Sequence, residues 1–112
     1  MIVWQRSRDL AIDIFKATGD RPFKTEWALR DQLRRSAVSV PSNIAEGNER
    51  GSRKEMARFC QYAKGSLAEL STQVEIAAGT GLLDEEHAKQ WTGQCEELAR
   101  MLAALIRVQA GD

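Results

Sequence analysis

One histidine, one tyrosine, two cysteines and two prolines occur in 112 residues, and each scarcity excludes something. The spacing Asp84-x-x-His87 is the carboxylate-x-x-His spacing of bundle di-iron sites, but those sites need two such motifs and two further inward carboxylates. His87 also falls in the first turn of a helix, where an exposed side chain is expected. Cys60 and Cys95 show no C-x-x-C spacing and sit in apolar helical patterns. They read as reduced core thiols of a cytosolic protein, with a disulfide as the lesser alternative.

Catalytic motifs are missing as well. No G-x-x-x-x-G-K-[ST] phosphate loop and no G-x-G-x-x-G occurs. Ser66 lies mid-helix, not on the sharp turn that presents a serine nucleophile; Gly65 and Ser66 read as small residues that let two helices approach. No apolar run approaches the ~18 residues of a membrane span. Met1-Ile2-Val3-Trp4-Gln5-Arg6 carries no apolar stretch of signal-peptide length. The expectation is a cytoplasmic protein with no metal, no cofactor and no membrane partner. It is not an enzyme and works through its surfaces.

Excess charge of one sign is also lacking: 16 basic residues balance 16 acidic ones. This argues against a polycation that coats nucleic acid unselectively. The balance hides an asymmetry, because residues 1–64 hold 13 Lys/Arg against 8 Asp/Glu and residues 65–112 hold 3 against 8. A chain so polarised can present one basic face or associate head to tail with itself.

What is present is helical periodicity. Val3/Trp4, Ser7, Leu10/Ala11 and Ile14/Phe15 mark a first helix from about Val3 to Ala17, ended by Thr18-Gly19-Asp20-Arg21-Pro22. A second begins near Thr25 as N-cap and carries Leu29, Leu33, Ser36/Ala37, Val40 and Ile44 inward. Pro41 interrupts its hydrogen bonds but not its register, so one kinked helix from 25 to about 47 is expected, with Gly47 as a left-handed cap. Ser39, Ser42 and Asn43 are placed to repair groups freed near the proline. Ser52-Arg53-Lys54-Glu55 forms a capping box for the third helix. Met56, Phe59/Cys60, Ala63, Leu67, Leu70, Val74 and Ala77 follow, and Gly79 and Gly81 stop it. Asp84 caps a fourth helix built on Trp91, Cys95, Leu98, Leu102 and Leu105. Short links make sequential helices antiparallel. The fold class is all-α: one domain over 1–112, an antiparallel up-down-up-down four-helix bundle with its second helix kinked at Pro41.

Two surfaces stand out. Tyr62 and Ile76 on the third helix, and Met101, Ile106 and Val108 on the fourth, lie outside the narrow core stripe and suggest a subunit interface. Arg34, Arg35, Arg50, Arg53, Lys54 and Arg58 concentrate around the end of the second helix and the start of the third, as a phosphate-binding patch would. Other charges fall into i,i+4 pairs that stabilise a solvated helix face: Glu26–Arg30, Asp31–Arg35, Glu85–Lys89 and Glu96–Arg100.

Three stretches carry a family resemblance: Val3-Trp4-Gln5, the run Gln32-Leu33-Arg34-Arg35-Ser36-Ala37-Val38-Ser39-Val40-Pro41-Ser42-Asn43-Ile44-Ala45-Glu46-Gly47, and Ala63-Lys64-Gly65-Ser66-Leu67-Ala68-Glu69-Leu70. The chain resembles, over nearly its whole length, the four-helix-bundle proteins encoded in intervening sequences of large-subunit ribosomal RNA genes. The resemblance implies an antiparallel bundle assembled as a ring-shaped homopentamer. It extends in fold to the accessory variability determinant of diversity-generating retroelements, which engages a reverse transcriptase and nucleic acid through basic surfaces. The implied function is a homopentameric binding module for RNA, a ribonucleoprotein or a nucleic-acid-processing protein. The alternative is an adaptor ring that binds another protein without nucleic acid. The chain departs from the family in its zero net charge and in having Pro22-Phe23 where relatives often place Phe before Pro.

Overall fold

A computed structural model describes residues 1–19 and 22–111. Four helices run in chain order: α1 (Ile2–Ala17), α2 (Trp27–Glu49), α3 (Arg53–Gly79) and α4 (Glu85–Gln109), with a short 3-10 turn at Phe23–Thr25. No strand occurs among the described residues. The Asp20-Arg21 part of the predicted break after α1, and the final Asp112, lie outside the described residues.

The helices pack in sequence order, α1 on α2, α2 on α3, α3 on α4, and α4 back on α1. Cross-helix pairs fix their directions. Ser39 meets Ser66 and Gly47 approaches Phe59, so α3 descends as α2 rises. Arg6 pairs with Glu97 and Asp13 with Trp91, so α4 runs against α1. The rod measures 45 × 21 × 19 Å.

The expected core stripes turn inward. Ile14, Leu33, Ile44, Cys60, Leu70, Val74, Trp91 and Leu102 are fully buried. Each large aliphatic or aromatic group so buried contributes about 1.5–3 kcal/mol relative to exposure. Phe23 joins them from the 3-10 turn and plugs the end of the bundle near α2's start. The free thiols Cys60 and Cys95 lie in this core, and burial pushes both up, Cys95 to about 12 with help from nearby Glu96.

Helix ends follow local chemistry, with four corrections. Ser52 Oγ accepts the Glu55 amide at 3.1 Å, but the Glu55 carboxylate turns to Arg50 and Arg58, so only half of the capping box forms. Thr25 does not cap α2. It ends the 3-10 turn, and Glu26 precedes the helix without a side-chain cap. Gly47 does not end α2 either; the helix continues to Glu49, and Gly51 supplies the left-handed residue at φ +78. As expected, α2 is one helix that carries its register through Pro41. Finally, none of the four expected i,i+4 ion pairs forms; Arg30 faces its neighbour Asp31 at 3.6 Å instead. Asp84 does cap α4, its Oδ2 accepting the His87 amide at 3.0 Å.

Candidate interaction surfaces

The six basic residues expected to form one patch separate into two groups. Arg35 sits about fifteen residues before Arg50 on α2, roughly 22 Å along the axis at 1.5 Å per residue. Arg34 serves the fold. Its Nε donates to Thr18 Oγ1 at 2.9 Å, its Nη2 donates to the Phe15 carbonyl at 3.1 Å, and its guanidinium lies 4.6 Å from the Phe15 ring centre. These bonds cap the carbonyl end of α1, which a helix leaves unpaired. Arg35 lines a polar groove between α2 and α3 with Asp31, Gln32, Ser36, Ser39 and Glu69.

The other four cluster at the α2–α3 tip. Arg50 reaches Glu55 at 3.3 Å and stacks 4.9 Å from Phe59. Arg58 pairs with Glu55 at 3.1 Å, donates from Nε to Tyr62 Oη at 2.9 Å, and lies over both aromatic rings. The Tyr62 bond and the Glu55 charge raise the Arg58 pKa further. Phe59 and Tyr62 meet edge to face at 5.3 Å. Arg53 donates to the Val108 carbonyl at 2.6 Å, which closes the end of α4. Lys54 is exposed and makes no ion pair among the described residues. The tip is thus an arginine–aromatic cluster organised around one carboxylate.

The five expected interface residues do not form one patch. Tyr62, Ile76 and Val108 are exposed. Met101 and Ile106 are half-buried and pack against the core, because α4's inward face is wider than one stripe. Tyr62 and Ile76 are fourteen residues apart on α3, and Val108 lies beside Arg53 at the opposite end of α4 from its cap.

A larger apolar surface was not anticipated. Ile12 and Phe15 of α1 and Val38 and Pro41 of α2 line an almost wholly apolar groove, with Arg8 and Lys16 at its margin. Phe15 directly follows buried Ile14, so periodicity alone assigned it to the core. In the polar α2–α3 seam, Ser39 Oγ and Ser66 Oγ meet at 2.8 Å, and Asn43 Nδ2 donates to both the Ser39 carbonyl and hydroxyl. The carbonyl that loses its partner to Pro41 is that of Ala37, four residues back, so Asn43 reinforces the seam and does not replace the missing bond. Gly65 is exposed with open space around it, so Ser66, not Gly65, makes the close approach.

A family model described as the 23S rRNA-intervening sequence protein matches residues 1–104. The chain belongs to that family. A solved structure from Bacteroides thetaiotaomicron, described as a protein of unknown function from the S23 ribosomal protein family, is similar in fold: TM-score 0.84, 20% identity, covering 94% of this chain and 98% of that one. No match was found among curated proteins.

In this 23S rRNA-intervening sequence family member, the one histidine is spoken for locally. His87 Nδ1 lies 2.7 Å from Asp84 Oδ1, and its ring meets Trp91 edge to face. Among the described residues no group of three or more His, Cys, Asp or Glu side chains converges. Among the described residues no helix is long and apolar enough to cross a membrane.

Proposed function

We propose that this chain is a homo-oligomeric binding module, a pentamer as the family resemblance implies, that presents its α2–α3 tip to RNA or to a ribonucleoprotein. The observation that carries the reading is the tip itself. Arg50 and Arg58 hold flat guanidinium groups against Phe59 and Tyr62, and half-exposed Tyr62 adds a ring face beside them. Cations supply phosphate attraction, and guanidinium planes and aromatic rings stack on unpaired bases. One tip is weak, because Glu46, Glu49 and Glu55 offset most of Arg50, Arg53, Lys54 and Arg58. Repetition around an oligomer multiplies a weak contact when the ligand spans several copies.

The test is affinity of nuclease-treated protein for a short mixed-sequence single-stranded RNA across a salt series. Binding is expected to weaken as salt rises, with a log–log slope of about −0.7 per phosphate contact. Reversing Lys54 and Arg58 to Glu together is expected to abolish it without changing the oligomer. Absent binding at low salt overturns the RNA reading.

A second reading rests on the charge balance of the tip and of the whole chain. It is an adaptor ring that engages a protein partner through the same surfaces and leaves nucleic acid alone. A single stoichiometric protein captured from nuclease-treated lysate, with no RNA affinity in the salt series, would favour it.

A further inference from the structure

Two arginines, one after α2 and one on α3, converge on a single carboxylate at the tip of the bundle. Arg50 Nη1 lies 3.3 Å from Glu55 Oε1. Arg58 Nη1 lies 3.1 Å from Glu55 Oε2 and 3.4 Å from Oε1. Both guanidinium groups are also positioned by other contacts. Arg50 lies against Phe59, and Arg58 lies over Phe59 and Tyr62 with its Nε donating to Tyr62 Oη at 2.9 Å.

Glu55 stands three residues after the Ser52 cap, the place from which a glutamate reaches back to the cap residue's amide. It turns to the arginines instead. Its side chain is 26% exposed, against 45% and 53% for Arg50 and Arg58, so the acid is the most sheltered of the three. The separations are longer than the roughly 2.7–2.9 Å of a tight charge-assisted hydrogen bond, so the carboxylate is held loosely enough to exchange. The other acids of the tip do not share this place. Glu46 reaches Arg50 alone, at 3.8 Å on its Nε side. Glu49 makes no ion pair among the described residues.

We propose that Arg50 and Arg58 form a seat for one phosphate group, that Glu55 occupies this seat in the free protein, and that the backbone phosphate beside an unpaired base displaces it. The inference rests on the RNA reading above and names both the contact and its internal competitor. A phosphodiester carries the same single charge as the carboxylate and offers the same pair of acceptor oxygens to a guanidinium fork. The exchange breaks two exposed ion pairs with Glu55 and makes two with phosphate, so charge alone gives the ligand little advantage over the resident acid. A nucleotide adds what Glu55 lacks: its base stacks on the half-exposed Tyr62 ring beside the seat. Glu55 thus sets the threshold, and a ligand passes it with a phosphate and a free base together.

Two variants test it. Glu55→Gln removes the competitor's charge and keeps its shape. Glu49→Gln removes the same charge from the same tip and leaves the seat alone. Neither side chain caps a helix, so the fold is expected to persist, checked by circular dichroism and melting temperature. The readout is the affinity of each nuclease-treated protein for a short mixed-sequence single-stranded RNA at one low salt concentration. E55Q is expected to bind about three- to tenfold more tightly than the unaltered protein, because two exposed ion pairs no longer have to be broken. E49Q is expected to stay within about twofold, as a solvated and screened charge should. Equal gains in the two variants, or no gain in E55Q while the unaltered protein binds, overturn the Glu55 seat and leave the RNA reading standing. Binding by E55Q with none by the other two proteins keeps the seat and removes the RNA reading from the unaltered chain. No binding by any of the three overturns both.

Discussion

Gly47 on α2 faces Phe59 on α3 so closely that a β-carbon added at Gly47 would stand 2.8 Å from Phe59 Cβ, and 3.3 Å from Met56 Cα. Both neighbouring atoms are on or next to the backbone, so neither can swing aside. The glycine lets the ends of α2 and α3 touch just below the tip that carries Arg50 and Arg58. It lies in the last turn of α2, still inside the helix, where glycine has an entropic cost.

Gly47→Ala is therefore expected to destabilise the protein by about 1–2 kcal/mol. Overpacking costs about 1–3 kcal/mol, and the better helix propensity of alanine returns up to about 1 kcal/mol of it. Gly65→Ala is the control, because nothing lies near its added methyl; it is expected to stabilise by about 0.5–1 kcal/mol. Urea unfolding of the two variants measures both. Equal shifts in the same direction would show that propensity, not the Phe59 contact, governs position 47.

The same glycine shows where sequence reading stops. Four helices, their core stripes and the Ser52 and Asp84 caps were legible, because each is a local pattern of spacing or side-chain chemistry. A glycine that ends a helix and a glycine that admits a neighbouring helix look alike in one dimension, so spacing alone makes Gly47 a cap. Phe15 and Val38 flank core positions by one residue, and only the placement of neighbouring helices decides that they face outward. In the sequence Arg34 groups with the other cations, because its partners, Phe15 and Thr18, are 19 and 16 residues away. Composition gathers the cations into one stretch of sequence, but it does not divide cations that hold the fold from cations that remain available.

The start of α4 gives a pH dependence. Asp84 accepts the His87 amide at 3.0 Å and the ring Nδ1 at 2.7 Å, and the amide bond first, then the ring, holds its carboxyl below the ordinary value of 3.8. The folded state therefore binds a proton on Asp84 less readily than the unfolded chain. The stability Asp84 lends is complete above 3.8 and is lost as pH falls through the folded value. Asp84→Ser keeps a capping oxygen and removes the titration. The gap in urea midpoint between the two proteins is expected to narrow as pH falls below 3.8. A gap that does not change on acidification would mean that the carboxylate is not the group responsible.

Arg34 separates fold from binding. If it caps α1 as its geometry shows, Arg34→Ala leaves the Phe15 carbonyl and the Thr18 hydroxyl without this donor and uncovers the Phe15 ring. The expected loss is about 1–2 kcal/mol in urea unfolding, in the range for hydrogen bonds from a charged donor. Arg34→Lys is not expected to recover it, because an ammonium cannot lie flat on the ring while serving two acceptors in a fixed fork. RNA affinity, measured at a temperature where both proteins are folded, is expected to stay within about twofold, whereas the Lys54 and Arg58 reversals remove the attraction that phosphate contacts supply. An Arg34→Ala protein as stable as the original but weaker toward RNA would return Arg34 to the binding surface and move the contact from the tip toward the middle of α2.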